Sequence, residues 1–534
     1  MVGSLDFNGR PFHFIGIGGI GMSALAYVLA KRRLRVSGSD ARASAITGRL
    51  EAAGVQIFWG QGADNLRRLQ QQGLGKSGGV EAAGEVGGNR PGMAEGTGAI
   101  AAGVGGRPAN SIYKDVHPQD GAADGLPQVI CSTAIRADNP EYEAAIALGC
   151  PIFHRSDLLA ALMAQGRGIA IAGTHGKTTT SSLAGFMLLE AGLDPTIVVG
   201  GEVAAWDGNA RVGAGDWIVA EADESDGSLV KLEAAVGIVT NIELDHPDHY
   251  ASLDETVDIF LAFAKRCGVL IGCVDCPTVR DRLTLDLSYS LDPAAGADYW
   301  AEAIELTAAG VRSQVFERGE LLGSLQLQLL GRHNLSNALA VVALGRHLGL
   351  PFTAIADALA KFTGTRRRFE LLGTRGDIAF YDDYAHHPSE VRVTLAAARQ
   401  RLDGMDGNGR LVAIFQPHRF SRTQTFLEDF STAFGAADVV VLTDIYSAGE
   451  LNTFGISGQT LADAMAAHRD RVIYQPTLDA VRQYLAQELR AGDLAICLGA
   501  GNLNQIVPDL LSDCQPDHRV DYQEMSDSRI DTTD

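Results

Sequence analysis

The richest run of chemistry-bearing residues is Gly173-Thr174-His175-Gly176-Lys177-Thr178-Thr179-Thr180. An apolar run, Ile169-Ala170-Ile171-Ala172, precedes it, and a helical pattern from Ser181 to Leu189 follows. Strand, glycine turn, Lys-Thr, helix is the order that a phosphate-binding loop needs. Glycines let backbone amides close on an anion, and the helix start presents free N–H groups with a dipole of the right sign. Lys177 is a point charge for β- and γ-phosphates, and the Thr178 hydroxyl is a hard oxygen ligand for Mg2+. One departure from the common spacing stands out. Ile171 occupies the usual position of the first glycine, which here is Gly173.

Other clusters follow apolar runs in the same way. Glu221-Ala-Asp-Glu-Ser-Asp226 comes after Trp217–Ala220, and Thr240-Asn-Ile-Glu-Leu-Asp-His246 after Val236–Val239. Carboxylates at successive strand ends, beside a phosphate loop, are placed to hold Mg2+. Asn334 and Asn337 lie three apart on one helical face. They suit a nucleotide base or, alternatively, the cap of that helix. Arg366-Arg367-Arg368-Phe369 sits at a proposed domain boundary, where an arginine can reach a nucleotide held by the neighbouring domain. Tyr381-Asp-Asp-Tyr-Ala-His-His-Pro388 and Phe415-Gln-Pro-His-Arg-Phe-Ser-Arg-Thr423 end two further strands. Arg419 and Arg422 suit bidentate capture of a carboxylate, so a small anionic substrate is expected. Near the N-terminus, Gly16-x-Gly18-x-x-Gly21 follows Phe12–Ile17, with Asp40 near the place of the acidic residue of a dinucleotide-binding βαβ unit. Alone, that fingerprint fits NAD, FAD or any pyrophosphate.

Strands and helices must hold these residues. The pattern predicts a strand over 12–17, a helix from Met22 to Lys31 and a strand from Leu34 to Ser37 ending at Asp40. Further strands are expected at 169–172, 217–221, 236–241, 378–381, 411–415, 439–443, 471–474 and 494–498. Their alternation with helical patterns predicts an α/β chain with mostly parallel, doubly wound sheets. A length of 534 residues suggests roughly three or four domains. Thirteen of the 34 residues from 73 to 106 are glycine. A segment so poor in apolar side chains does not offset its ordering entropy, and a flexible insertion is expected over about 71–126. The tail from Asp513 carries seven acidic and two basic residues, and disorder is expected there. A net charge of −21 argues against nucleic acid as a partner. Seven scattered cysteines form no disulfide framework, and the lone Cys273-Val-Asp-Cys276 reads as packing. Without a long apolar run or a basic-then-apolar start, a soluble cytoplasmic protein with no membrane insertion is expected.

Taken in order, GIGGIGMSALA, VICSTAIRADNPE, GTHGKTTT, EADESD, NIELDH, GRHNLSNALA, RRRFE, DDYAHHPSE, FQPHRFSRT, YSAGE and GAGN resemble the Mur ligase family over nearly the whole chain outside the insertion and tail. The resemblance implies three domains. These are a Rossmann-like UDP-substrate-binding domain (1–165), a central P-loop ATPase-type domain (166–364) and a Rossmann-like amino-acid-binding domain (365–512). It implies ATP- and Mg2+-dependent joining of L-alanine to the lactyl carboxylate of UDP-N-acetylmuramate through an acyl phosphate. FQPHRFSRT fits members that add L-alanine better than those that attach a recycled tripeptide. On this resemblance Gly173, Thr174, His175, Gly176, Lys177, Thr178 and Thr179 meet the phosphates, and Asn334, Asn337 and Arg366 or Arg367 complete the ATP site. Thr178, Glu221 and His246 hold one or two Mg2+ ions. Gly16, Gly18, Gly19, Gly21, Asp40 and Ser132 hold the sugar nucleotide. Tyr384, His386, Arg419 and Arg422 bind L-alanine, with His386 the candidate base. Relatives carry histidine near Gln61, so Gln61 is left out of the site. The expected assembly is a monomer or weak homodimer. A nicotinamide-dependent dehydrogenase is the competing reading of the N-terminal fingerprint; it leaves Lys177, the strand-end carboxylates and the arginine pair without a role.

Overall fold

A computed structural model describes residues 5–73, 126–404 and 409–512. Of the insertion expected over about 71–126, residues 74–125 lie outside the described residues, as does the acidic tail, 513–534; residues 71–73 instead end the helix Asp64–Gly73. The chain forms two compact units. One runs to Gln165 and includes Asn209–Val212; the other holds Gly166–Gly208 and the chain from Gly213 onward. Among the described residues no helix is long and apolar enough to cross a membrane.

The first unit carries β1 (Phe12–Ile15), β2 (Val36–Asp40), β3 (Gln56–Trp59), β4 (Gln128–Cys131) and β5 (Ile152–His154). Their order is β3-β2-β1-β4-β5, parallel throughout. Every residue of β1 and β4 is buried. That is why both read as unbroken runs rather than alternating ones: helices cover both faces of a parallel sheet. The chain winds outward from β1 to β3, then returns to β4 beside β1. The C-terminal ends of β1 and β4 are therefore a switch point, the place where such sheets bind ligands.

The second unit continues with β6 (Arg167–Ala172), β7 (Thr196–Val203), β9 (Trp217–Glu221), β10 (Ala234–Val239), β11 (Cys267–Cys273), β12 (Leu287–Ser290), β13 (Tyr299–Thr307), β14 (Gly310–Glu317) and β15 (Glu320–Leu327). A short strand at Gly208–Arg211, β8, falls in the first unit except for Gly208. The order β15-β14-β13-β12-β11-β10-β6-β9-β7 puts β6 between β10 and β9, parallel to both. The antiparallel meander β13–β15 was not among the sequence expectations. Helices Lys177–Glu190 and Arg332–His347 cover the sheet with Leu183, Met187, Leu335, Leu339 and Val342, all 0% exposed. Full burial of such a side chain stabilises by about 1.5–3 kcal/mol.

The same unit carries a third sheet of β16 (Glu370–Arg375), β17 (Ile378–Asp383), β18 (Leu411–Phe415), β19 (Val439–Leu442), β20 (Val472–Tyr474) and β21 (Leu494–Leu498). Its order is β16-β17-β21-β18-β19-β20, parallel except for the edge strand β16. The five strands expected here recur: 411–415 and 494–498 coincide, and one end of each of the others shifts by one or two residues.

Candidate active site

The turn after β6 is shaped by two glycines that no other residue could replace without movement. Gly173 has φ +138°, and a Cβ there would lie 2.0 Å from Thr240 Oγ1; Gly176 has φ +83°, with Asn337 Oδ1 2.7 Å from its Cβ position. Gly176 caps the helix Lys177–Glu190 without a side-chain bond. Thr180 N–H is the first amide to reach back, to Gly176 O at 2.9 Å. The amides before it have no helical carbonyl and face the turn as an anion site.

Lys177 Nζ donates to Gly173 O (2.6 Å) and Thr174 O (3.1 Å) and lies 2.7 Å from Glu224 Oε2. Burial opposes its charge, but Glu224, Asp223 and Glu221 outweigh burial and hold its pKa above the usual lysine value. The pair is asymmetric. Burial pushes Glu224, 1% exposed, up to about 7 against the pull of Lys177, because one ammonium is shared among several carboxylates. Thr178 Oγ1 donates to Glu221 Oε1 at 3.0 Å, and Glu221 Oε2 accepts Gly200 N–H at 2.6 Å. His246 Nε2 lies 3.9 Å from Glu224 Oε1 and 3.6 Å from Asp245 Oδ2. The structure thus pairs Thr178 with Glu221 and puts His246 on the Glu224 side of the cluster. Glu224 was not among the expected site residues, because strand-end position does not say which carboxylate of EADESD turns inward.

Beside this loop is a cavity of about 430 Å3, lined by His175, Gly176, Thr179, Asn334, Asn337 and Arg368, among others. Gly331 caps the helix Arg332–His347 with no side-chain bond, so Asn334 and Asn337 are not its cap. Asn337 Nδ2 instead donates to Asn334 Oδ1 at 3.3 Å, and Asn334 Nδ2 to Leu330 O at 2.8 Å. The three arginines of the run point to different partners. Arg366 Nη1 pairs with Glu202 at 2.8 Å and is largely exposed. Arg367 is held by Asp382 (3.1 Å) and Gly499 O (2.8 Å). It is Arg368 that reaches Thr178 Oγ1, at 3.4 Å, and the cavity wall. The backbone explains this: Arg367 and Phe369 have φ +58° and +52°, so successive side chains diverge and counting along the run does not tell which one faces the loop.

Parallel strands bring Asp383, Phe415 and Leu498 to one edge of the third sheet. After Asp383 the chain turns into Tyr384–His387 and the helix Pro388–Asp403. Burial pulls His386 down to about 4, so its imidazole is neutral at pH 7. Its Nδ1 is 2.9 Å from Tyr384 O, and its ring meets those of Tyr384 and His418 edge-on at 5.3 and 5.8 Å. Arg419 Nη1 pairs with Asp248 at 2.6 Å and Glu450 at 3.4 Å. Arg422 is 2% exposed and directs Nε and Nη2 at Asp245 Oδ1, at 2.9 and 2.8 Å. Burial opposes the Asp245 charge, but Arg422 holds that carboxyl well below the usual range. The expected arginine pair therefore divides: Arg419 lies at a partly open rim, while Arg422 ties the third sheet to the loop after β10.

In the first unit Gly16 (φ +79°) and Gly18 follow β1, and Gly18 N–H donates to Asp40 Oδ2 at 2.8 Å. A Cβ at Gly18 would sit 2.8 Å from that oxygen. Gly19 caps the helix Ile20–Lys31, which contains Gly21, again without a side-chain bond. Ser132 follows β4 and its carbonyl accepts Ile135 N–H at 3.0 Å. All six expected residues thus share the C-terminal edge of β1, β2 and β4. Gln61, set aside above, is there too: its Oε1 accepts Asn139 Nδ2 at 2.6 Å.

Three family models match the chain: the Mur ligase family catalytic domain over residues 11–167, the Mur ligase middle domain over 171–345 and the Mur ligase glutamate ligase domain over 367–501. The chain is 57% identical to a UDP-N-acetylmuramate–L-alanine ligase of Nostoc punctiforme, covering 97% of this chain and 99% of that one. It is 54% identical to the enzyme of the same name from Crocosphaera subtropica, over 100% and 99%. Among solved structures, a UDP-N-acetylmuramate–alanine ligase from Thermotoga maritima matches with TM-score 0.73 and 25% identity, covering 94% of this chain and 98% of that one.

Proposed function

The chain belongs to the Mur ligase family, and from that premise we propose that it joins L-alanine to the lactyl carboxylate of UDP-N-acetylmuramate in an ATP-dependent reaction of peptidoglycan precursor synthesis. The relatives that share its full length and more than half its residues carry this activity in their names. The observation that carries the reading is that a phosphate loop and a second strand-end site lie side by side in one unit, joined by Ser389 Oγ to Glu243 (2.7 Å) and Arg422 to Asp245 (2.8 Å).

A carboxylate is a poor acyl group because an oxide would have to leave. A lactyl carboxylate oxygen therefore attacks the γ-phosphorus of ATP, the bond to ADP breaks, and an acyl phosphate forms. The alanine nitrogen attacks the acyl carbon, and the tetrahedral intermediate collapses to amide and phosphate, which departs with the former carboxylate oxygen. Negative charge is concentrated on the transferred phosphoryl group, so preplaced donors matter most there. Lys177 and the amides at the start of its helix are those donors; an incoming triphosphate competes with Gly173 O and Glu224 for the ammonium. Thr178 and Glu221, two hard oxygen donors 3.0 Å apart, fit Mg2+, with His246 the third member of the proposed set. When bound, the ion neutralises phosphoryl charge.

In this reading Gly16, Gly18, Gly19, Gly21, Asp40 and Ser132 of domain 1–165 grip the uridine diphosphate. Asn334, Asn337 and Arg368 of the second unit bind ATP, with Arg368 in place of Arg366 or Arg367. Tyr384, His386 and Arg419 of domain 365–512 bind alanine, with Arg422 anchoring their loop. Neutral His386 is suited to take the amine proton. One or two Mg2+ ions and a monomer or weak homodimer complete the proposal. The test is phosphate release with UDP-N-acetylmuramate and ATP while the acceptor is varied among L-alanine, glycine, L-serine and the recycled tripeptide. L-Alanine should give the highest kcat/KM; a preference for the tripeptide would overturn the reading.

A further inference from the structure

One side chain of the phosphate loop reaches across to the third sheet. His175 hydrogen-bonds Glu243 Oε2 through Nε2 at 3.3 Å and places Nδ1 3.3 Å from Glu390 Oε1, an ion-pair contact outside hydrogen-bond geometry. Glu243 follows β10 and also accepts Ser389 Oγ at 2.7 Å. Glu390 stands in the first turn of the helix Pro388–Asp403 and accepts the amides of His386 (3.0 Å) and His387 (3.2 Å). Its Oε2 is also 3.3 Å from His386 Nδ1. The loop end of the linkage is equally fixed: His175 N–H donates to Asn241 Oδ1 (2.8 Å), and His175 O accepts from Thr240 Oγ1 (2.6 Å) and Asn241 Nδ2 (3.0 Å).

The ligand atoms of His175, Glu243 and His387 all lie within 4.8 Å of one another, a spacing that a metal ion would also fit. The hydrogen bonding favours a proton instead. His387 Nδ1 accepts Ser389 N–H at 3.3 Å, so a neutral ring carries its hydrogen on Nε2, which has no acceptor among the described residues and offers no lone pair. Burial keeps His387 neutral, down at about 4. His175, packed against it at 4.6 Å between ring centroids, lies between two carboxylates whose pull outweighs burial and raises it to about 10.

We propose that His175, clamped as a cation between Glu243 and Glu390, couples the phosphate loop to the Tyr384–His387 loop, so that Glu390 is a positioning residue that carries loop occupancy to His386 and hence to the amino acid. This rests on the ligase reading above. The test is a double-variant cycle in the full-length chain with UDP-N-acetylmuramate, ATP and L-alanine. Glu390→Gln should raise the L-alanine KM about tenfold while Kd for a fluorescent ATP analogue stays within about twofold, and Glu390→Asp should recover part of the loss. His175→Asn should raise the same KM, and the double variant should be no worse than the worse single one, because both break one linkage. An imidazole NMR titration gives a reading independent of turnover: His175 should keep its proton to about pH 10 in the unaltered chain and lose it at lower pH in Glu390→Gln. Effects that multiply in the double variant, equal changes in ATP Kd and alanine KM, or an unmoved His175 titration would overturn the coupling. So would one equivalent of zinc retained by the purified protein and lost in His387→Ala. A chain that binds the analogue and shows the titration shift but releases no alanine-dependent phosphate would instead sink the ligase reading.

Discussion

The turn at Gly16–Gly19 and the turn at Gly173–Gly176 start from one backbone plan. Each follows a buried parallel strand, uses glycine at positive φ and opens a helix whose cap has no side-chain bond. Their side-chain surroundings differ. At the first, Asp40 approaches the amides directly, with Gly18 N–H on its carboxylate. At the second, Lys177 lies among Glu221, Asp223 and Glu224, and Thr178 is bonded to Glu221. Backbone geometry makes an anion site in both. The side chains decide whether an anion is merely held or has its charge redistributed, which needs a mobile cation and ligands for a metal.

The largest expected break in that comparison is Lys177→Ala. Losing a preplaced donor at the phosphoryl group should lower kcat by about 10²–10³, measured as ADP formation at saturating substrates. A loss confined to KM would mean that both turns only bind. Gly18→Ala should do the reverse: with Asp40 Oδ2 2.8 Å from the new methyl position, KM for the sugar nucleotide should rise by roughly tenfold or more at nearly constant kcat, a loss on the order of 1.4 kcal/mol of binding. A smaller contrast concerns the third sheet. Arg419→Ala should raise the alanine KM by about tenfold and leave that for ATP near its original value; equal effects would remove Arg419 from the alanine pocket.

The smallest effect is in stability. His175 is raised above its unfolded value of 6.5, so its contribution is complete below pH 6.5 and fades as pH rises through about 10. Glu243, lowered to about 2 by His175 and Ser389 against the opposing effect of burial, contributes fully above its unfolded value of 4.5 and loses that contribution as pH falls through 2. The Tm gap between the unaltered chain and His175→Asn should therefore be greatest near pH 5–6, roughly a few degrees, and close towards pH 10. A gap independent of pH would mean that the ring acts by packing alone.

Much of this was legible in the sequence because it depends on local chain. Buried parallel strands announce themselves as apolar runs, and the glycine turns, Lys177 and Thr178 follow them at fixed offsets. The meander β13–β15 was not anticipated, since its half-buried strands lack such runs. At the site, the sequence located the segments but not the orientation of each side chain. Arg368 rather than Arg366 or Arg367 faces Thr178 because of two positive-φ residues. Arg422 left the expected pair because Asp245, 177 positions away, meets it in a buried contact. Glu224, Glu243 and Glu390 matter through partners distant in sequence, which periodicity does not register.

The central claim is that the carboxylate of the sugar nucleotide is phosphorylated before alanine attacks. UDP-N-acetylmuramate labelled with 18O in its lactyl carboxylate, incubated with the protein, ATP and L-alanine, tests it directly by mass analysis of the released phosphate. One labelled oxygen per phosphate, appearing only when L-alanine is present, is the predicted result. Phosphate free of label would contradict the account.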